Sequence, residues 1–95
     1  MKLISYSHVL GCIEGDFVYD VFLDSNINRN FIIYLGSLGK LIFSESMPKP
    51  YFTIISRGKF TLKGSQFNDT FRVLLSEVED LIYIDQLRQF IQAFE

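Results

Sequence analysis

The sequence predicts one small domain of the α+β class, a curved and mainly antiparallel sheet of six or seven strands covered by one C-terminal amphipathic helix. From residue 2 to about 75, short runs of β-branched and aromatic residues alternate with turn residues, as is typical of strands in hairpins. Near the C-terminus the apolar residues recur at intervals of three and four, which indicates a helix. The 95 residues, 48% apolar and 16% aromatic, suffice for one core. We therefore expect a single domain over residues 1–95.

Seven apolar runs are predicted to be strands. They are Leu3–Ser7, Phe17–Leu23, Phe31–Leu35, Leu41–Ser44, Phe52–Ser56, Lys59–Lys63 and Thr70–Leu75. Alternate residues of a strand share a face, so the odd-numbered residues of the second run are predicted to point into the core. Val18 and Phe22 would then lie on the other face.

Glycine and proline define the predicted turns. Gly36 and Gly39 flank a two-residue link and can adopt the positive φ angles of a tight reversal, so we expect a hairpin between the third and fourth runs. Arg57 and Gly58 predict a second hairpin in the same way. The segment 48–50, Pro-Lys-Pro, lacks two backbone donors and is predicted to be a stiff connector that separates the two hairpins.

The C-terminal helix has two possible starts. Its apolar face consists of Ile84, Leu87, Phe90, Ile91 and Phe94. Asp85 can cap a helix that begins there, whereas Ser76 with Glu79 matches a capping box and would add about two turns. The run 81–84 fits a short buried strand better, which favours Asp85. If Phe90 is fully buried against the sheet, Phe90→Ala should cost about 3 to 5 kcal/mol of stability.

Composition excludes several functional classes. Nine basic residues stand against 11 acidic ones, and the basic residues are scattered, which argues against a nucleic-acid partner. The longest apolar runs are about five residues, far short of the ~20 that span a bilayer, and we find no signal-peptide stretch. Cys12 is the only cysteine and has no partner for an internal disulfide. We therefore expect no membrane insertion and a reducing, cytoplasmic location.

His8 and Cys12 are the only residues of their types and invite comparison with a catalytic pair. On an extended strand they would lie about 13 Å apart, at ~3.3 Å per residue, so pairing requires a bend at Gly11. Together with Glu14 and Asp16 they form the enzyme or metal hypothesis. An inert cysteine and an ordinary histidine explain the residues more simply. We predict no catalytic residue, no metal and no cofactor.

Four carboxylates at even-numbered positions suggest a second candidate site. Glu14, Asp16, Asp20 and Asp24 would project from one face of a continuous strand, where they could act as an acid and base pair, bind a metal or recognise a basic partner. The solvated outer face of a strand is the simpler interpretation. The polar segment 24–30 resembles the start of a calcium loop but lacks the required glycine and final glutamate, so we interpret it as an Asn-rich turn between two strands.

The order of about seven strands and one C-terminal helix is similar to the pleckstrin-homology-like arrangement. Phosphoinositide binding, which this resemblance implies, would require clustered basic residues. The basic residues concerned are spread over several predicted elements: Lys40, Lys49, Arg57, Lys59 and Lys63.

The aromatic content carries the functional prediction. Ten Phe and five Tyr exceed what so small an interior readily holds, and surplus apolar surface on a small domain suggests an interface. We predict a non-enzymatic protein-interaction module, either a homodimer or a small regulator or inhibitor of a larger protein. The alternative is a small-molecule or lipid-binding domain with an aromatic-lined cavity between helix and sheet, for which Tyr34, Arg57 and Arg72 are the candidate polar anchors.

Overall fold

The computed structural model describes residues 1–9, 17–46, 48–75 and 82–94. Its elements follow the chain in the order β1 Leu3–His8, β2 Val18–Leu23, α1 Arg29–Gly36, β3 Lys40–Ser44, β4 Tyr51–Ser56, β5 Phe60–Ser65, β6 Thr70–Leu75 and α2 Ile82–Gln92. The six strands form one antiparallel sheet in the order β1-β2-β6-β5-β4-β3. The predicted α+β fold, with a C-terminal helix packed on an antiparallel sheet, is confirmed.

Both helices pack against the same face of the sheet, which we call the inner face. In β6, alternate residues Phe71, Val73 and Leu75 are buried, as the pleat of a strand requires. The helices add six buried residues to the same core: Phe31, Ile32 and Leu35 from α1, and Ile84, Leu87 and Ile91 from α2. The opposite face, which we call the outer face, carries neither helix.

The face that α2 presents to the core follows the predicted pattern. Leu87 and Ile91 of α2 are buried. Phe90 and Phe94 are only half-buried, and their rings contact α1. Phe90 stacks on Tyr34 with ring centroids 4.2 Å apart, and Phe94 meets Phe31 edge to face at 5.2 Å. The full burial assumed for the Phe90→Ala prediction is therefore not found, and a smaller effect is expected.

The start of α2 differs from the start predicted at Asp85. The helix begins at Ile82, so residues 82–84 are helical and not a short strand, and Asp85 lies within the first turn. Ser76, Glu79 and Leu81 lie outside the described residues. The apolar spacing explains the earlier start, because Ile84 falls on the same helix face as Leu87 and Ile91 and is buried with them.

The prediction of a third strand at residues 31–35 is wrong, because these residues lie within α1. The side chain of Asn28 accepts a hydrogen bond of 2.8 Å from the Phe31 backbone N–H, which caps the helix. The buried residues Phe31, Ile32 and Leu35 share one helix face. A run of five apolar residues fits a buried strand or a helix equally well, and the cap decides between them. The Asn-rich segment consequently joins a strand to a helix.

The hairpin predicted across Gly36 and Gly39 is absent for the same reason, and among the described glycines only Gly58 has a positive φ, of 78°. Gly39 is instead required by a close approach. A Cβ atom there would lie 2.3 Å from the carbonyl oxygen of Ile55. The chain leaving α1 therefore enters β3 pressed against the end of β4.

Of the two turns that flank β4, one was predicted correctly. Arg57 and Gly58 do connect β4 to β5 in a hairpin. The segment 48–50 was predicted to separate hairpins, but it lies in the connection between β3 and β4, which pair with each other from Lys40 opposite Ile55 to Ser44 opposite Tyr51. The prolines stiffen a long hairpin loop. With a helix as the third element, the strand order on which the pleckstrin-homology-like resemblance depended is not observed.

Candidate functional site

The outer face of the sheet is covered by neither described helix. Residues directly opposite each other in antiparallel strands point to the same side, so the register assigns the side chains of this face. Its central row crosses all six strands: Ser7, Asp20, Arg72, Lys63, Thr53 and Ile42. Two parallel rows flank it, one through Val18 and Ile55 and one through Phe22 and Tyr51.

Large apolar side chains remain accessible on this face. Phe22, Ile42, Tyr51 and Ile55 are between 38% and 45% exposed. Val18, predicted to share the face with Phe22, is buried and lies outside the main core cluster. Partly exposed aromatic and branched side chains on one sheet face resemble the apolar centre of a protein interface more than an ordinary solvated strand face.

Charged groups lie between these apolar residues. Arg72 donates from Nε to Oδ1 of Asp20 at 3.0 Å, and the two residues are directly opposite in β6 and β2. Both side chains are about one third exposed, so solvent screens the pair, and it contributes less than about 1 kcal/mol to stability. Lys63 and Lys40 lie farther across the same face. The face therefore combines apolar side chains with mostly cationic ones.

Two open hollows border these side chains. One, of about 420 Å³, lies between β4, β5 and β6 and is lined by Tyr51, Thr53, Lys63 and Arg72 among others. The other, of about 350 Å³, lies at the β4–β5 turn beside Ile55, Arg57 and Lys59. Both are shallow and wide open, so they fit protruding side chains of another protein better than an enclosed small molecule.

The three predicted anchor residues lie at three different places. Tyr34 belongs to α1 and donates its hydroxyl proton to the Phe90 carbonyl oxygen at 2.6 Å, so it joins the two helices. Arg57 lies in the β4–β5 turn, and Arg72 lies on the outer face. Arg57 and Arg72 line different hollows. The structure does not bring the three side chains into one pocket.

The cavity that the alternative prediction requires corresponds to a hollow of about 240 Å³ beneath α2. It is lined by Leu38, Phe60, Gln86, Leu87 and Phe90. None of the three predicted anchors lines it, and its size lies below the ~300 to 1,000 Å³ of ordinary ligand sites.

The enzyme hypothesis rests mainly on residues 10–16, which lie outside the described part of the chain. Of its four residues only His8 is described, and its ring stacks on Tyr19 with centroids 5.0 Å apart. Within residues 1–9, 17–46, 48–75 and 82–94, no three His, Cys, Asp or Glu side chains are grouped so that they could hold a metal ion. Neither described helix is long and apolar enough to cross a bilayer.

Comparison with known proteins adds nothing to this geometry. No protein-family model matches the chain, and no curated protein or solved structure matches it either.

Sequence reasoning identified only part of the outer face. Strand alternation placed Phe22 there correctly, because Asp20 in β2 and Asp24 just after β2 mark the solvent side. In β4 the residues 51–55 read Tyr-Phe-Thr-Ile-Ile, with apolar side chains at both parities. Alternation could not tell the exposed Tyr51 and Ile55 from the buried residues between them.

Proposed function

We propose that this protein is a non-enzymatic protein-interaction module that binds through the outer face of its sheet. Its partner is either a second copy of the chain or a larger protein that it regulates or inhibits. The observation that carries the proposal is the exposure of Phe22, Ile42, Tyr51 and Ile55 on one face. Aromatic residues and arginine, here Tyr51 and Arg72, are the types enriched where protein interfaces contribute most to binding.

The size of the face supports a modest interface. Six strands about 4.8 Å apart and about 20 Å long give an area of roughly 480 Å². A standard stable complex buries about 800 Å² per partner, so the face accounts for a little over half of such an interface. Adjoining turns or a sheet edge would supply the remainder. Cytoplasmic residence, inferred from the single cysteine, belongs to the same proposal.

The experiment uses a photocrosslinking amino acid placed at Ile55 on the outer face, in the cells that make the protein. The matched control carries the same group at Gln89, an exposed position of α2 on the helix-covered side. We expect ultraviolet light to join a protein to the Ile55 variant and not to the Gln89 variant. The captured protein, purified separately, should bind the unmodified chain and lose affinity at least tenfold for Tyr51→Ser.

Equal capture at both positions, or no capture at either, would contradict the proposal. A captured protein whose affinity is unchanged by Tyr51→Ser would also contradict binding through the outer face. Tyr51→Ser changes a partly exposed side chain, so the fold should persist, and circular dichroism verifies this.

The alternative is a small-molecule or lipid-binding domain, and the hollow beneath α2 is the observation in its favour. Native mass spectrometry of gently purified protein separates the two functions. A retained small molecule, displaced in Leu87→Phe because the larger side chain fills the hollow, would support the alternative. Protein without such a mass, alone or as a protein complex, would remove its basis.

A further inference from the structure

The two edges of the sheet are built differently. Within the described residues, β1 pairs only with β2 and β3 pairs only with β4, so each leaves one side open. The register of β1 shifts between Leu3 and Ser5, an irregularity that hinders pairing with a further strand. The five pairs of β3 run in unbroken register, and Ile42 at its centre is 45% exposed. Soluble proteins usually protect an edge strand with a bulge, a proline or a charge; in β3 the only charge is Lys40 at its first position, and residues 41–43 have no bulge, proline or charge.

The helix layer exposes an apolar residue at the same edge. Arg29, Ile33 and Gly36 are four and seven positions apart and share one face of α1. Arg29 Nε bonds to Glu45 Oε1 at 2.7 Å, just after β3, and a Cβ on Gly36 would touch Leu41 within β3. This face of α1 therefore adjoins β3, and Ile33, 46% exposed, lies in its middle.

We infer that β3 pairs with β3 of a second copy, antiparallel about a two-fold axis at Ile42, so that the two sheets become one continuous sheet. This inference goes beyond the proposed function, because the contact uses the β3 edge and leaves the outer face of the sheet uncovered. The two α1 helices would lie side by side on the inner face and would shield Ile33 from water. Leu41 and Phe43, half-buried in the single chain, would be covered by each other's counterparts.

The sequence of β3 is complementary to itself in this register. Ile42 lies opposite Ile42, Leu41 opposite Phe43 and Lys40 opposite Ser44, so no two like charges oppose each other.

Neighbouring registers are less favourable. Centring the axis on Leu41 brings the two Lys40 side chains close together on the outer face, and centring it on Phe43 sets Leu41 opposite Glu45. Like charges or a carboxylate against an apolar side chain destabilise such pairs.

The contact is small, which determines how the dimer should behave. A five-residue strand about 17 Å long, across a sheet and helix layer together about 20 Å thick, gives roughly 340 Å² per copy. Stable complexes bury about 800 Å² per partner. We therefore expect a dimer that dissociates on dilution and becomes predominant at high protein concentration.

Cysteine crosslinking tests the register directly. In a Cys12→Ser background, Ile42→Cys places two thiols at directly opposite positions, whose Cα atoms, about 4.5 to 5.5 Å apart, suit a disulfide. The control is Ile4→Cys on β1, at an exposed position of the other edge. Under mild oxidation at one protein concentration, we expect the Ile42→Cys chain to form the covalent dimer at least ten times faster. Equal rates for the two variants would overturn the inference.

Sedimentation of the unmodified protein gives an independent test. We expect dimer to accumulate up to about 1 mM protein, where even a weak complex worth about 4 kcal/mol is half formed. Ile42→Lys should remain monomeric, and the matched control Ile4→Lys, at an exposed position of β1 on the other edge, should dimerise like the wild type. Circular dichroism shows whether both variants fold.

The two proposals fail separately. A wild-type chain that stays monomeric at about 1 mM, yet captures a protein from the Ile55 position, removes the second copy as the partner and leaves the proposed function intact. A chain that neither dimerises nor captures a protein loses both.

Discussion

The two faces of the sheet are made by the same strands and have opposite relations to solvent. Phe52 and Tyr51 are neighbours in β4, yet Phe52 is 1% exposed and Tyr51 is 45% exposed. On the inner face, apolar side chains are buried under both helices and produce the fold. On the outer face Phe22, Ile42, Tyr51 and Ile55 stay partly accessible, whereas Val18 is buried. The comparison teaches that the residues that stabilise the fold and the residues of the proposed binding surface lie on opposite sides of one six-stranded sheet, so that each set can be altered independently.

Replacing Phe52 by alanine should give the largest loss of stability and is the most direct test of the difference between the two faces. Removing a fully buried phenylalanine leaves a cavity, so we expect Phe52→Ala to lower the free energy of unfolding by about 3 to 5 kcal/mol. Tyr51→Ser, one residue away on the outer face, should change it by less than about 1 kcal/mol. Urea denaturation of both variants makes the measurement. Similar losses for the two would show that the faces do not differ as described.

Adding a methyl group to the inner face should give the next largest effect. A Cβ on Gly64 would lie 2.8 Å from Cζ of Phe52 and 2.8 Å from Cβ of Phe71, and both phenylalanines are buried in the core. We expect Gly64→Ala to destabilise the protein by about 1 to 3 kcal/mol through overpacking. The control is Thr61→Ala, at an outer-face position of the same strand. If Gly64→Ala is neutral by urea denaturation, the inner face is less tightly packed than the structure indicates.

These residues also show how far the sequence could predict the fold. Alternation in β2 and the three- and four-residue spacing in α2 predicted both elements, because each has polar residues that mark the solvent side. The run 31–35 is apolar throughout, so its period could not distinguish strand from helix, and only the Asn28 cap does so. Gly64 was left outside the sixth predicted strand, Lys59–Lys63, although a glycine within a strand indicates a close approach of other groups.

The candidate surface was less predictable than the fold. Aromatic abundance indicated that some rings would stay accessible, but which ones depends on strand register and on the side that the helices cover. Ile42 lies in a strand and Ile33 in a helix, so no single sequence pattern relates them. Only the packing of α1 beside β3 places both residues at one edge of the sheet. Tyr34 illustrates a further difficulty, since the structure shows that a residue predicted as a ligand anchor joins the two helices.

Removing the Tyr34 hydroxyl tests whether this side chain stabilises the fold. Tyr34→Phe removes the 2.6 Å hydrogen bond to the Phe90 carbonyl oxygen and keeps the ring that stacks on Phe90. A single lost hydrogen bond of this kind should lower the free energy of unfolding by about 1 kcal/mol. Tyr83→Phe, a half-buried tyrosine whose ring meets Phe60, serves as the matched control. If thermal unfolding shows unchanged stability in Tyr34→Phe, the hydroxyl does not stabilise the fold, and a ligand-binding role for the residue would gain support.

The smallest effect on stability is expected for Asp24, an exposed residue that follows β2. This effect should depend on pH. The Lys2 backbone N–H donates to its Oδ1 at 2.8 Å, and this hydrogen bond holds the pKa of the Asp24 carboxyl below its ordinary value. Because the pKa is lower in the folded state, the stabilisation is present above the ordinary aspartate pKa of about 3.9 and is lost as the pH falls through the folded-state value. Wild type should therefore exceed Asp24→Asn in stability at neutral pH, and the difference should shrink in acid. Urea denaturation of both proteins across the acid range measures that difference, and one that stays constant with pH would show that the Lys2 hydrogen bond does not favour the ionised carboxylate.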